Sequence, residues 1–358
     1  MQGGVETHAE NLYTRVARMG CDVEVLVRTP FVPSQQKSVG PIRLVRLWAP
    51  RTSGMEALVH SFLGVLYAGF KRPDILHIHA VGPSIVTPLA RLFGLRVVVT
   101  HHGPDYDRDK WGGFARWVLR TGESLGARYS HARIAISKVI VDLLRAKYGK
   151  SSDLIPNGVT AVVPRHDSEH VTHFGLEPGR YFLQVSRIVP EKRQLDLIRA
   201  FSQARLADSP LAGWKLALVG GLTDDSYSLE VQAAARAAGV VLTGFLTGPP
   251  LQQMYSHAGG FVLPSSHEGL PIAMLEALSY GLPVVASNIP ANLEVGLDPS
   301  SYFQTGNVAA LAEALERLTR APKDSDARAA RIEFVARNFN WDRVAEQTME
   351  VYRRLQPS

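Results

Sequence analysis

Residues 260–288 read Gly-Phe-Val-Leu-Pro-Ser-Ser-His-Glu-Gly-Leu-Pro-Ile-Ala-Met-Leu-Glu-Ala-Leu-Ser-Tyr-Gly-Leu-Pro-Val-Val-Ala-Ser-Asn, which predicts a strand, a loop, a helix and a second strand. Pro271 suits the first turn of a helix, where a missing N–H costs nothing, and Gly281 followed by Pro283 stops it after about ten residues. The loop carries one carboxylate, Glu268, and the helix another, Glu276, with seven residues between them. Glu268-Gly269-Leu270 leads from the carboxyl end of a buried strand into the helix N-terminus, where free N–H groups and the positive end of the dipole favour an anion such as phosphate. Glu276 shares a helix face with Ser279 and Tyr280, a pattern equally suited to a solvated stripe.

The same alternation extends in both directions. Strands are expected at 23–27, 42–47, 74–79, 96–100 and 133–137, and again at 181–185, 215–219, 240–242 and 283–286. Helical stretches intervene, notably 55–70 and 111–127, so the fold class is α/β with parallel sheets covered on both faces. A chain of 358 residues exceeds the usual size of one core. Two domains are expected, 1–165 and 166–338, with a polar linker between Val159 and Arg180 and a closing helix at 339–358 that packs back on the first. The 55–70 helix is apolar over much of its surface, which suits core packing better than a membrane surface.

At 46% hydrophobic and 20% charged, the composition is that of an ordinary globular chain. The single cysteine, Cys21, excludes an internal disulfide framework and fits a reducing, cytoplasmic setting. No stretch stays apolar for the roughly 18 to 20 residues that span a bilayer. The net charge of +6 suggests an acidic partner, and between Asp107 and Lys150 ten Lys or Arg face four acids. An anionic leaflet, touched peripherally, or a diphosphate-linked substrate would be attracted; nucleic acid is not expected, since no recognised binding motif accompanies the charge.

Ser265-x-x-Glu268-Gly269, then Leu-Glu-Ala and Gly-x-Pro-Val-Val-Ala-Ser, resembles the double-glutamate signature of glycosyltransferase family 4. The resemblance implies the GT-B architecture, two Rossmann-like domains facing across a cleft. It implies transfer of a hexose or deoxyhexose from a nucleoside-diphosphate sugar to a hydroxyl of a glycan or lipid-linked acceptor, with retained configuration and without a metal or other cofactor. Ser186-Arg187-Ile188-Val189-Pro190-Glu191-Lys192 resembles the family's Gly-Arg-x-x-x-x-Lys segment, with Ser186 replacing the more usual glycine. Arg187 and Lys192 would then face the diphosphate, whose leaving charge preplaced cations stabilise. By the same resemblance Glu268 contacts the donor sugar, Glu276 binds the ribose, and Gly269 and Leu270 open the phosphate-facing helix. The run 107–112 resembles rhamnosyltransferase-type bacterial members.

Gly220 and Gly244 close two further strands, where a base or ribose could lie, although tight turns explain glycines equally well. His102 follows the 96–100 strand, at the edge where open α/β sheets bind ligands; the family places a sugar-contacting histidine there, and the plainer reading is a hydrogen-bonded loop residue. Asp105-Tyr106-Asp107 mimics a metal motif of a different fold and is read as coincidence. Gly3-Gly4 resembles the family's Gly-Gly-x-Glu-like loop, assigned to the sugar and acceptor, but no strand precedes it here. A start cut short is preferred to a lost strand, because unpaired backbone on the neighbouring strands would be costly. Two rivals follow: a sugar-nucleotide epimerase of the same architecture, and an inactive nucleotide-sugar-binding remnant.

Overall fold

The computed structural model of the protein describes residues 4–33, 35–51, 55–107, 112–205, 209–321 and 324–356. The first part of the chain runs α1 (Gly4–Arg18), β1 (Glu24–Arg28), β2 (Ser38–Val39), β3 (Ile42–Leu47), α2 (Met55–Lys71), β4 (Leu76–His79), α3 (Thr87–Leu92), β5 (Val97–His101), α4 (Gly113–Tyr129), β6 (Ala132–Ala135), α5 (Lys138–Tyr148) and β7 (Asp153–Leu154). It continues with α6 (Glu169–His173), β8 (Tyr181–Val185), α7 (Gln194–Ala204), β9 (Lys215–Val219), α8 (Ser226–Ala238), β10 (Val241–Gly244), α9 (Gly248–His257), β11 (Gly260–Leu263), α10 (Ile272–Ser279) and β12 (Val284–Ser287). The last elements are α11 (Pro290–Leu293), β13 (Tyr302–Phe303), α12 (Val308–Thr319), α13 (Ser325–Asn338) and α14 (Trp341–Arg353). Two compact units result: residues up to Asn157 together with those from Trp341 onward, and Gly158–Asn340.

In the first unit β1 and β3 pair in parallel with β2 antiparallel at the edge, and β4-β5-β6-β7 form a separate parallel sheet. Among the described strands no hydrogen-bonded pair joins the two sheets. Val97 and Val98 of β5 are fully buried, as a valine run does in a strand covered on both faces. Leu12 and Val16 of α1 share one core with Val98, Ile134, Trp341, Val344 and Val351, so α14 completes this unit. Burying each such side chain contributes about 1.5–3 kcal/mol. Helix α2 buries Gly64, Val65 and Ala68. Phe62, Leu66 and Phe70, each four residues apart, stay exposed, so core packing accounts for only one stripe of that helix.

The second unit is a six-stranded sheet, β10-β9-β8-β11-β12-β13, parallel throughout. Strands β8, β9 and β11 begin and end where the apolar runs predict. Phe182 stacks on Trp214 at 4.6 Å and meets Phe201 edge-on at 6.3 Å, filling one face of the sheet. The chain order reverses between β8 and β11, since β9 and β10 lie to one side of β8 and β12 and β13 beyond β11. Such a reversal marks the carboxyl edge at which open α/β sheets bind ligands.

Two expectations change. Helix α10 has eight residues rather than about ten, because Pro271 is extended (φ −77°, ψ 92°) and caps the helix instead of joining its first turn. Gly281 ends it at φ +74°, and a Cβ there would meet Arg328 Cγ at 2.2 Å. The 159–180 segment is not a free linker: Val171 and Leu176 are buried, and the His170 amide donates to Gln253 Oε1 on α9 at 2.9 Å.

Candidate active site

The loop after β8 is held from beneath by two buried amides. Gln184 Nε2 donates to the Lys192 carbonyl at 3.0 Å, and Gln194 Nε2 donates to the Arg187 carbonyl at 2.8 Å and to Ser186 Oγ at 3.0 Å. Tyr227 in turn donates to Gln194 Oε1 at 3.0 Å, which leaves that amide well satisfied. Arg193 closes the loop in the left-handed region at φ 51°, a costly conformation for an arginine that its ion pair to Asp196 helps to hold.

The loop after β11 is tied to this one twice. The Ser266 amide donates to the Glu191 carbonyl at 2.9 Å, and Lys192 Nζ donates to Glu268 Oε1 at 2.5 Å. Lys192 is 16% exposed and Glu268 11%, so the pair is partly shielded from water yet reachable. Arg187 and Gly269 are half-buried, and Leu270 is buried. On the other side of β8, the Gly220 amide donates to the Gly244 carbonyl at 3.0 Å, and a Cβ on Gly220 would lie 2.1 Å from the Ser186 carbonyl oxygen. Only glycine permits that approach; Gly244 is itself at φ +74°. Arg187, Lys192, Glu268, Gly220 and Gly244 thus gather on the carboxyl edge of β8, β9, β10 and β11. Lys192 paired to Glu268, with Arg187 on the same loop and a helix N-terminus following, can receive a phosphate group.

Glu276 belongs to a different cluster. Its Oε2 accepts a 2.9 Å hydrogen bond from the Tyr255 hydroxyl, and Tyr255 stacks on Tyr280 at 5.2 Å. Burial raises the Glu276 carboxyl above its ordinary value, and the Tyr255 hydroxyl opposes this by favouring the anion. Ser279 and Tyr280 are buried, so the solvated stripe suggested by the sequence does not exist. A cleft of about 670 Å³ runs along residues 160–167, bounded by Gln252 and Tyr280; its lining includes none of Arg187, Lys192 and Glu268.

In the first unit the two strand-end histidines divide their tasks. His101 is buried and faces Glu123 Oε1 at 2.9 Å, where Tyr106 also donates at 2.9 Å, and Tyr148 donates to Oε2 at 2.7 Å. Burial alone would raise the Glu123 carboxyl, but the hydrogen bonds from His101, Tyr148 and Tyr106 outweigh it and hold the group down to about 2. His102 turns elsewhere, with Nε2 3.0 Å from His79 Nδ1. Asp105 and Asp107 lie in one 3-10 turn around the buried Tyr106. Gly4 opens α1 and is exposed, while Gly3 lies outside the described residues. His8, Tyr13, His77 and His79 around His102 escaped the sequence reading. The signal was there in His77-x-His79, which alternation puts on one face of a strand, and in His8, one turn before Leu12 on the buried face of α1.

Among the described residues no helix is long and apolar enough to cross a membrane. Two family models match the chain: one described as Glycosyltransferase Family 4 over residues 2–161, and one described as Glycosyl transferases group 1 over residues 179–321. O-antigen chain mannosyltransferase B of Escherichia coli is 25% identical over 60% of this chain and 55% of its own length, so the match spans about half of that protein. The GDP-mannose:cellobiosyl-diphosphopolyprenol alpha-mannosyltransferase of Komagataeibacter xylinus is 27% identical over 99% of this chain and 90% of its own. Among solved structures, sucrose-phosphate synthase from Thermosynechococcus elongatus superposes with a TM-score of 0.83 at 20% identity, covering 99% of this chain and 94% of that one. That likeness establishes the GT-B fold.

Proposed function

The chain belongs to glycosyltransferase family 4, and from that premise we propose that it moves a hexose or deoxyhexose from a nucleoside-diphosphate sugar to a hydroxyl of a glycan or lipid-linked acceptor, with retained configuration, in cell-surface polysaccharide synthesis. The observation that carries this reading is the coupling of Lys192 to Glu268 beside Arg187 where the chain order of the sheet reverses. In this reading Arg187, Lys192 and the N-terminus of α10 after Gly269 and Leu270 stabilise the departing diphosphate. Glu268 holds the donor sugar, and Glu276 the ribose. Gly220 and Gly244 give the base and ribose a flat seat. His102 and the Gly3-Gly4 loop serve the sugar and acceptor. The bond from the anomeric carbon to the β-phosphate oxygen breaks as the acceptor oxygen bonds to that carbon, and the phosphate takes the acceptor proton. No metal is assigned to this step.

A peripheral contact with an anionic membrane on the cytoplasmic side accompanies the proposal. Phe114 and Trp117 of α4 are exposed and stacked at 6.0 Å, with Arg116 and Arg120 exposed beside them.

The test is to screen nucleotide sugars for binding and then to assay product with lipid-linked acceptors. Nucleoside diphosphate released only when acceptor is present supports transfer. An epimer formed from donor alone would replace the proposal with isomerisation, and donor binding without turnover on any acceptor would reduce the chain to a binding protein.

A further inference from the structure

His8, His79 and His102 come from three separate elements, α1, the end of β4 and the residue after β5, and each offers a ring nitrogen within 4.8 Å of the other two. His8 is 2% exposed, its Nδ1 lies 2.9 Å from Asn157 Oδ1, and its Nε2 is buried with no hydrogen-bond partner. If Nδ1 carries the proton that Oδ1 accepts, the Nε2 lone pair faces the cluster with nothing donating to it. A buried acceptor left in that state costs about 1–3 kcal/mol. His79 Nδ1 and His102 Nε2, 3.0 Å apart, present a second pair of nitrogens at the same place.

We propose that His8 Nε2, His79 Nδ1 and His102 Nε2 form a binding site for a divalent transition-metal ion of the zinc class. Three neutral imidazoles with no carboxylate among them select a borderline cation over magnesium or calcium, which demand oxygen ligands. Burial depresses the imidazoles of all three, His8 to about 4, so each is an uncharged donor at neutral pH. The surrounding groups suit the outer shell of such a site. Asn157 fixes the His8 tautomer, and when the metal takes His79 Nδ1 the ring proton sits on Nε2, which then donates a hydrogen bond to the Tyr13 hydroxyl oxygen 2.5 Å away. Water or a ligand oxygen would complete the coordination. Ideal Zn–N lengths of about 2.0–2.1 Å put tetrahedral nitrogens about 3.4 Å apart, so the ring pair at 3.0 Å opens slightly as the more distant nitrogen closes in. The site ties α1 to two strand ends of the β4–β7 sheet; it shares His102 with the sugar-transfer reading, which makes no use of His8 or His79.

Tag-free, chelator-stripped protein is titrated with Co²⁺ and followed by visible absorption, and with Zn²⁺ by calorimetry. One ion per chain is expected, with the d–d absorption of a low-coordinate nitrogen site, and His8→Ala or His102→Ala is expected to abolish it. Asn157→Ala, which leaves all three ligands in place, is expected to weaken binding by about 10–100-fold. His166→Ala and His257→Ala in the other unit leave binding unchanged. Near-UV circular dichroism verifies that each variant is folded; a variant that is not is replaced by His8→Gln, which keeps the volume. Zn²⁺ also raises the melting temperature of the wild type, and not of the ligand variants, because it binds the folded chain alone. Failure of the folded wild type to take up one ion, or equal binding by folded His8 and His102 variants, overturns the site.

Discussion

Lys192 Nζ sits 2.5 Å from Glu268 Oε1, so the loops that leave the two central strands of the second sheet are joined by an ion pair at their tips. Either partner alone would be a half-buried charge without a counterion. A bound diphosphate can take over the lysine while a sugar hydroxyl takes over the glutamate, which lets one pair be broken by its ligand without leaving a charge stranded.

Replacing Lys192 or Arg187 by alanine is therefore expected to slow transfer by roughly 10²–10³. Steady-state kcat on the identified donor and acceptor measures it; near wild-type turnover in both variants would sink the phosphate-stabilising role. Lys192→Ala also leaves Glu268 unpaired, so nucleotide affinity and rate are to be measured separately.

Tyr255→Phe is expected to destabilise the second unit by about 1.5–3 kcal/mol, the range for a hydrogen bond to a charged group. The sign with pH follows from Glu276, whose carboxyl burial raises and the Tyr255 hydroxyl lowers. Loss of the hydroxyl pushes the folded value higher, so the variant tolerates low pH best, and its deficit grows as pH rises through that value. Urea melts of both proteins at several pH values test this; a deficit independent of pH would mean that Glu276 does not feel Tyr255.

Glu123→Gln removes the acceptor shared by His101, Tyr106 and Tyr148, and breaking such a buried network costs about 3–5 kcal/mol. Because the folded carboxyl is held down to about 2, its contribution is complete above the unfolded value near 4.5 and is lost as pH falls toward 2. The gap between wild type and variant should accordingly narrow across that window. Acid-unfolding curves in which the gap stays constant would contradict the assignment.

Gly220→Ala is expected to cost about 1–3 kcal/mol by overpacking, since its Cβ would fall 2.1 Å from the Ser186 carbonyl. For a unit of this size that lowers the melting temperature by about 2–4 °C per kcal/mol. Nucleotide affinity should fall with it because the displaced residue adjoins Arg187, whereas unchanged affinity would detach Gly220 from the donor site.

Much of the second unit was legible because its strands are short apolar runs bounded by glycine, proline or a charge. Tyr181–Val185 and Gly260–Leu263 end where Ser186 and Pro264 interrupt them. The grouping of Arg187, Lys192 and Glu268 was legible only through the family resemblance, since the adjacency of β8 and β11 is a strand order that no local pattern shows. Side-chain pairings were not legible. Nothing local tells Glu276 to meet Tyr255, or His101 to meet Glu123, because both contacts bridge 21–22 residues of sequence and are set by helix rotation. The histidine cluster was hidden for the same reason, its members being brought together from positions 8, 79 and 102 only by the packing of α1 on the β4–β7 sheet.

The division of the first unit into two sheets bears on how the protein behaves in concentrated solution. Strands β1 and β4 each pair with a described strand on one side only, and every residue of β1 is partly exposed. Such a strand offers a row of amide and carbonyl groups to any extended segment that approaches it, including the same strand of another molecule.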